Sequence, residues 1–275
     1  MNRDKQTILN FTKQLSIDAA KIAVSMRKKI TEYSLKSPSQ MVSEADKSVE
    51  QFIMSSIHNQ FPEDLILAEE SSTEVLQAMF TKPTWVIDPI DGTTNYLHHH
   101  YHVAVSIAYL EAGQVQVGVV NMPFYGEIFS SIKGGGSTLT KQNGQTEFIR
   151  CDNKKISFNQ AIICLGRPSD AKERTLWAKG VTKIFESCFD VRRLAAAAGD
   201  ISWIACGRLH GFWETLKPWD IAASCLIAKE AGAIVDYLEP LPAEMPIPQD
   251  LYCTNIVVSN PFVHDDLMKL LRSAL

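Results

Sequence analysis

The sequence predicts a mixed chain, α+β in its first half and α/β in its second. Three observations predict it: apolar residues at helical spacing near the start, two β-runs joined by a short turn between 102 and 121, and strand–helix alternation after about residue 160.

Over residues 7–30, Ile8, Phe11, Leu15, Ala19, Ile22, Ala23 and Met26 recur at steps of three and four, an amphipathic helix. Ser43 is placed to cap a second helix, with Val49, Phe52, Ile53 and Ile57 inward and Pro62 beyond its end. Leu65 to Ala68 and Trp85 to Ile87 are short apolar runs that read as buried strands. His102 to Leu110 and Gln114 to Asn121 form a hairpin about Glu111-Ala112-Gly113; Gly126 to Ile132 continues the sheet, and Gly134-Gly135-Gly136 breaks it. Beyond it, Ala161 to Leu165 reads as a strand, Lys172 to Glu186 as a helix, Ala195 to Cys206 as an alanine-rich helix and Gly211 to Glu214 as a strand. Asp220 to Ala231 is helical with Gly232 at C′, Ala233 to Leu238 and Asn255 to Ser259 are strands, and Pro261 opens a last helix. The change in character divides the chain into packed halves, 1–150 and 151–275.

The 275 residues are 45% hydrophobic, enough for a substantial core. Lys and Arg number 27 against 31 Asp and Glu, a net charge of −4, which argues against a nucleic-acid partner. The runs Arg27-Lys28-Lys29, Lys154-Lys155 and Arg192-Arg193 are short enough to be solvated element ends. Met1 to Gln6 is polar and no apolar stretch of about 20 residues follows, so neither a signal peptide nor a membrane span is expected. The six cysteines are widely spaced without a Cys-x-x-Cys pair, the pattern of reduced core residues in a cytoplasmic protein. His98-His99-His100-Tyr101-His102 reads as a surface or sheet-entry cluster rather than a transition-metal site.

Three acidic segments carry the chemistry. Asp88-Pro89-Ile90-Asp91-Gly92-Thr93-Thr94-Asn95 follows an apolar strand, and Pro89 suits a turn that aims Asp88 and Asp91 at one point. Gly92 permits close approach to a ligand, and a helix starting at Thr93 would offer free N–H groups to an anion. Two carboxylates would repel that anion unless a cation lay between, and Mg²⁺ favours carboxylate oxygens shared with phosphate. The competing reading is an Asp-rich turn capping a helix, and spacing alone does not separate the two. Glu69-Glu70 at a strand end and Asp220 at a helix start have bland readings of their own. Together they lie where α/β folds place ligands.

The run from Trp85 to Tyr96 resembles the first signature of the inositol monophosphatase family, and Trp219-Asp220-Ile221-Ala222-Ala223 leading to Glu230-Ala231-Gly232 resembles the second. The likeness extends through Ser43 to Asp46, Glu69-Glu70-Ser71, Ala104-Val105-Ser106 and Gly207 to Glu214. It implies a layered α-β-α-β-α sandwich of the sugar-phosphatase type and a Mg²⁺-dependent, lithium-inhibited hydrolysis of a small phosphorylated polyol by a metal-activated water. Inositol monophosphate is the default substrate, and a homodimer is common. Two to three Mg²⁺ are implied: Glu69, Asp88 and the Ile90 carbonyl on the first, Asp88, Asp91 and Asp220 on the second, and Glu69 leaning on a looser third. Asp46 and Thr93 would orient the attacking water with Glu70 nearby. Gly92 and Thr93 would offer N–H groups to phosphate beside Asp91, and Glu214 would accept a hydrogen bond from a substrate hydroxyl.

The chain departs from the family at Gln40, where many members carry Asp, at Ala195-Ala196-Ala197-Ala198, where many bacterial members carry Gly-Ser-Ala-Ala, and at His210, often Asp. Rival substrates are histidinol phosphate, fructose bisphosphate and a 3′-phosphonucleotide, the last disfavoured by Thr94-Asn95. A rival of another class is a regulatory protein that keeps the fold without catalysis.

Overall fold

The computed structural model describes residues 3–28, 34–37, 40–70, 77–152, 154–168 and 174–274. Helix α1 (Lys5–Arg27) starts at Asp4, whose carboxylate accepts from the N–H groups of Gln6 and Thr7. Strands β1 (Ser34–Ser37) and β2 (Gln40–Val42) form a two-stranded ribbon. Helix α2 (Glu44–Gln60) is capped at Ser43, whose N–H and hydroxyl both donate to Asp46 Oδ2, at 2.8 and 2.6 Å.

A seven-stranded sheet follows in sequence order: β3 (Leu65–Ala68), β4 (Thr84–Asp91), β5 (Ala104–Glu111), β6 (Gln114–Met122), β7 (Glu127–Ile132), β8 (Ser137–Lys141) and β9 (Thr146–Ile149). Its β3–β4 pair is parallel and the rest antiparallel. The five-residue helix α3 (Thr93–Leu97) interrupts it after β4. The second sheet has five strands in the order β11-β10-β12-β14-β13, from β10 (Ile162–Leu165), β11 (Asp190–Arg192), β12 (Gly211–Glu214), β13 (Ile234–Tyr237) and β14 (Ile256–Ser259). Its helices are α4 (Arg174–Ser187), α5 (Ala197–Ala205), α6 (Pro218–Glu230) and α7 (His264–Arg272).

The layers stack α-β-α-β-α. Helices α1 and α2 cover one face of the seven-stranded sheet through Ile8, Leu15, Val49, Ile53 and Ile57 against Trp85, Ile87 and Ile107. Helices α5 and α6 fill the space between the sheets: Ala222, Ala223 and Ile227 face β4–β6, while Ile201, Ile221 and Cys225 face Phe212 and Val258. Helices α4 and α7 cover the outer face of the five-stranded sheet through Ile184, Leu267 and Leu271. Helix α6 is buried from Ile221 to Ala228, as an all-round apolar helix must be, and its alanines permit close approach to both sheets. Each fully buried Ile, Leu or Phe contributes about 1.5–3 kcal/mol. No described helix is long and apolar enough to cross a membrane.

Three expectations are corrected. The Gly134-Gly135-Gly136 segment does not end the sheet but turns it into β8 and β9, the latter exposed from Thr146 to Phe148 as the sheet's edge strand. The alanine-rich helix starts at Ala197 rather than Ala195, because Ala195 sits at φ +65°, outside the helical region. The last helix starts at His264 rather than Pro261, since the Asn260 side chain accepts from Phe262 N–H and turns the chain first. Strand β11 was also unread. The expected first-helix end at Lys29 and Ile30, Ser71 beside Glu70, and the expected helix start at Lys172 lie outside the described residues. Of the cysteines, Cys151, Cys164 and Cys225 are buried.

Candidate active site

Strand β4 is buried along its length and ends in both signature acids. In a regular strand, residues three apart face opposite ways. Here the pairing slips: Asp88 lies opposite Ser106 and Asp91 opposite Ala104, so β4 carries one extra residue. Pro89 sits inside that bulge, where the ladder needs no donor from it. The bulge re-phases the strand, and a carboxylate oxygen from each of Asp88, Asp91 and Asp220 falls within 4.8 Å of the others. Asp220 arrives from the first turn of α6, where Pro218 opens the helix and Lys217 N–H donates to Asp220 Oδ2 at 2.8 Å.

Asp88 is 2% and Asp91 6% exposed. No Lys or Arg forms a salt bridge with Asp88, Asp91 or Asp220 among the described residues. Burial first, then the charges of Glu69, Asp91 and Asp220, hold Asp88 well above the usual carboxylate range. Burial and the neighbouring Asp200 push Asp91 up to about 8, against the N–H groups of Ala197, Ala198 and Gly199, the last at 3.2 Å. Burial and Asp91 push Asp220 up to about 7. Such a cluster is short of positive charge, and its hard oxygen donors suit Mg²⁺ or a similar cation.

After the bulge, Gly92 takes φ +86°; a Cβ there would lie 3.0 Å from both Ala196 Cβ and His102 O. Thr93 begins α3, and its hydroxyl donates to Asp46 Oδ1 at 3.1 Å and to Ile90 O at 3.2 Å. Asp46 is thereby fixed from three sides, and burial raises its pKa. Glu69 lines the cavity next to Asp91. Glu70 does not line it: its N–H donates to Glu50 Oε2 at 2.8 Å, and its charge reaches Asp46.

Glu214, at the end of β12, lines the same cavity. Arg167 N–H donates to its Oε1 at 2.7 Å, and a Cβ on Gly166 would fall 1.8 Å from its Oε2. Only glycine at 166 leaves the carboxyl where it is. Burial pushes Glu214 up to about 8, with Arg193 opposing. The cavity has a volume of about 230 Å³, below the range of drug-sized sites and fitted to a small metabolite.

Sequence reasoning missed Asp200. It is 1% exposed, lies in α5 beside Asp91, and accepts from or shares a proton with His102 Nε2 at 2.7 Å. The signal was available: Asp200 is the one charged residue in an otherwise apolar helix. The histidine cluster divides accordingly, with His98, His99 and His100 exposed and His102 buried at the entry to β5. Two other signature residues are structural. Asn95 donates to His102 O and Leu194 O, and Glu230 accepts from the N–H groups of Gly134 and Gly136.

The model of the inositol monophosphatase family matches residues 4–275. The Nus factor SuhB of Escherichia coli is 37% identical over 206 residues, 74% of each chain. The inositol-1-monophosphatase of Mesorhizobium japonicum is 31% identical over 245 residues, 88% of this chain and 86% of its own. Among solved structures, the extragenic suppressor protein SuhB of Bartonella henselae superposes with a TM-score of 0.85 at 26% identity, covering 98% of this chain and all of that one. The Thermotoga maritima IMPase gives 0.83 at 27% identity, with 98% of each chain covered. The chain belongs to the inositol monophosphatase family.

Proposed function

We propose that the chain hydrolyses a small phosphorylated polyol in a Mg²⁺-dependent reaction, with inositol monophosphate as the first substrate to test. The meeting of Asp88, Asp91 and Asp220 within 4.8 Å, with no Lys or Arg salt-bridged to any of them among the described residues, carries this reading. Glu69, Asp88 and the Ile90 carbonyl would hold one Mg²⁺, Asp88, Asp91 and Asp220 a second, and Glu69 would support a third. When bound, Mg²⁺ supplies positive charge to the phosphate oxygens and acidifies the attacking water. The chain's own part is positioning and proton handling. The Asp46 carboxylate, held by Ser43, accepts from the Thr93 hydroxyl and fixes that hydroxyl where it can orient water, with Glu70 adding negative charge behind it. The N–H groups of Gly92 and Thr93 would bind phosphate. Glu214, largely protonated near neutral pH, is able to exchange hydrogen bonds with a substrate hydroxyl. A cytoplasmic location, read from the unpaired cysteines, and a homodimer belong to this reading; light scattering at micromolar concentration tests the latter.

The test is phosphate release from inositol monophosphate with Mg²⁺ and with excess EDTA. Mg²⁺-dependent release is expected, and an undiminished rate in EDTA sinks the metal mechanism. A second reading, a partner-binding role in transcription, is favoured by the name Nus factor carried by the E. coli relative. Absence of turnover over a panel of phosphate monoesters would favour it.

A further inference from the structure

The cavity has a cationic wall that the proposed phosphate chemistry does not use. Arg167, Arg193 and Lys217 line it together with the acids, Lys217 next to Asp220 and the two arginines next to Glu214. Elsewhere the described arginines are engaged. Arg3 binds Asp64, Arg150 binds Asp152, Arg192 binds Asp190 and Arg208 binds Glu127, while Arg27 donates to His100 O and Arg272 to Leu238 O. Arg167 and Arg193 stand apart: both are exposed into the cavity, and neither guanidinium has a hydrogen bond or salt bridge among the described residues. They flank Glu214, Arg167 through its backbone N–H and Arg193 through its charge, so they face the part of the substrate that Glu214 addresses.

We propose that the substrate carries a second anionic group, a carboxylate or phosphate, bound by Arg167 and Arg193 at the Glu214 end of the cavity. This rests on the phosphatase reading above and narrows its substrate class. Arginine's planar fork matches such an anion with two parallel hydrogen bonds. The hydroxyls of a neutral ring could accept from both guanidiniums but would bring no charge to match theirs. Exposed in the cavity and without a hydrogen bond from the described residues, both guanidiniums keep their donors available to an anionic ligand. Were they there for the cleaved phosphate alone, their loss would weaken every substrate equally, and that separates the two explanations.

The experiment compares phosphogluconate with sorbitol phosphate, matched polyol phosphates with and without a carboxylate. It uses the Mg²⁺-loaded protein and the double variant Arg167→Met/Arg193→Met. Wild type is expected to show a kcat/KM at least about tenfold higher for phosphogluconate, since hydrogen bonds to charged groups are the strong ones. The double variant is expected to lose most of that preference through KM. Equal values in wild type, or a preference undiminished in the variant, overturn the proposal. If neither compound is hydrolysed, the same pair is titrated calorimetrically. Tighter binding of phosphogluconate, lost in the variant, keeps this inference while the phosphatase reading fails; equal binding overturns it. Circular dichroism melting of the variant establishes that it folds.

Discussion

Asp91→Asn separates catalysis from packing. The amide keeps the shape of the side chain and an oxygen to accept from Gly199 N–H, but removes one charge from the cluster. If Asp91 neutralises cation and phosphate charge together, turnover of inositol monophosphate falls by at least about 10²–10³. Stability without metal should move the other way. The Asp91 carboxyl is pushed up to about 8 from 3.8 by burial and by Asp200. At 1.36 kcal/mol for each pH unit, that bounds the cost of charging it at about 6 kcal/mol. Proton uptake by the coupled neighbours Asp88 and Asp220 relieves most of this, leaving a gain on the order of 1 kcal/mol, or about 2–4 °C, for the variant. The sign follows from linkage. With the folded pKa above the unfolded one, the folded state holds an extra proton between pH about 4 and 8, and stability falls as pH rises through that window. The metal-free wild type should therefore melt higher at pH about 5 than at about 8.5, and the variant should show a flatter curve. The assay measures turnover with Mg²⁺ and melting in EDTA on one preparation. Near-normal turnover with a lowered metal-free melting temperature would make Asp91 a turn residue and refute the argument.

Three further outcomes follow from the same geometry. Gly166→Ala drives a methyl into Glu214 and is expected to raise KM about tenfold with a smaller change in kcat, read by steady-state kinetics. His102→Leu leaves Asp200 buried without its partner and should cost about 3–5 kcal/mol by denaturant unfolding, largely restored on adding Asp200→Leu; a loss below about 1 kcal/mol would show that the pair carries little. Ala195→Gly relieves a left-handed backbone at φ +65° and should gain about 0.5–1 kcal/mol in the same assay.

Much of the fold was legible because the signals were periodic. The spacing from Ile8 to Met26 marked α1, and Glu111-Ala112-Gly113 marked the β5–β6 hairpin, though not the bulge at Tyr109 and Leu110 that shifts its register. Strands β8, β9 and β11 escaped because they are short or polar, and their place is set by pairing rather than composition. At the site, the identities of Asp88, Asp91 and Asp220 were readable, but the means of bringing them together was not. A one-residue bulge leaves no mark in a sequence beyond its proline. Asp200 and the clamp on Glu214 escaped for a different reason: each depends on a residue distant in sequence, Asp200 on His102 and Glu214 on Gly166 and Arg167.

The site also explains why the middle helical layer is so apolar. Helices α5 and α6 each touch both sheets, so α6 is uncharged from Ile221 to Ala228 and carries Lys229 and Glu230 only at its far end. Their only charged cavity residues, Asp200 and Asp220, stand in or next to the first turn, at the end that faces the β4 bulge. There the helix N-terminus is positive and favours a carboxylate. The N–H groups of α5 turn that preference toward Asp91, and Lys217 N–H turns it toward Asp220. Backbone dipoles thus hold part of the charge that a cation would complete. Partial neutralisation offsets some of the repulsion among these carboxylates, yet leaves Asp88, Asp91 and Asp220 raised above the usual carboxylate range and so able to gain from metal binding. Mg²⁺ should accordingly raise the melting temperature more at pH about 8 than at about 5, where protons already occupy the same oxygens.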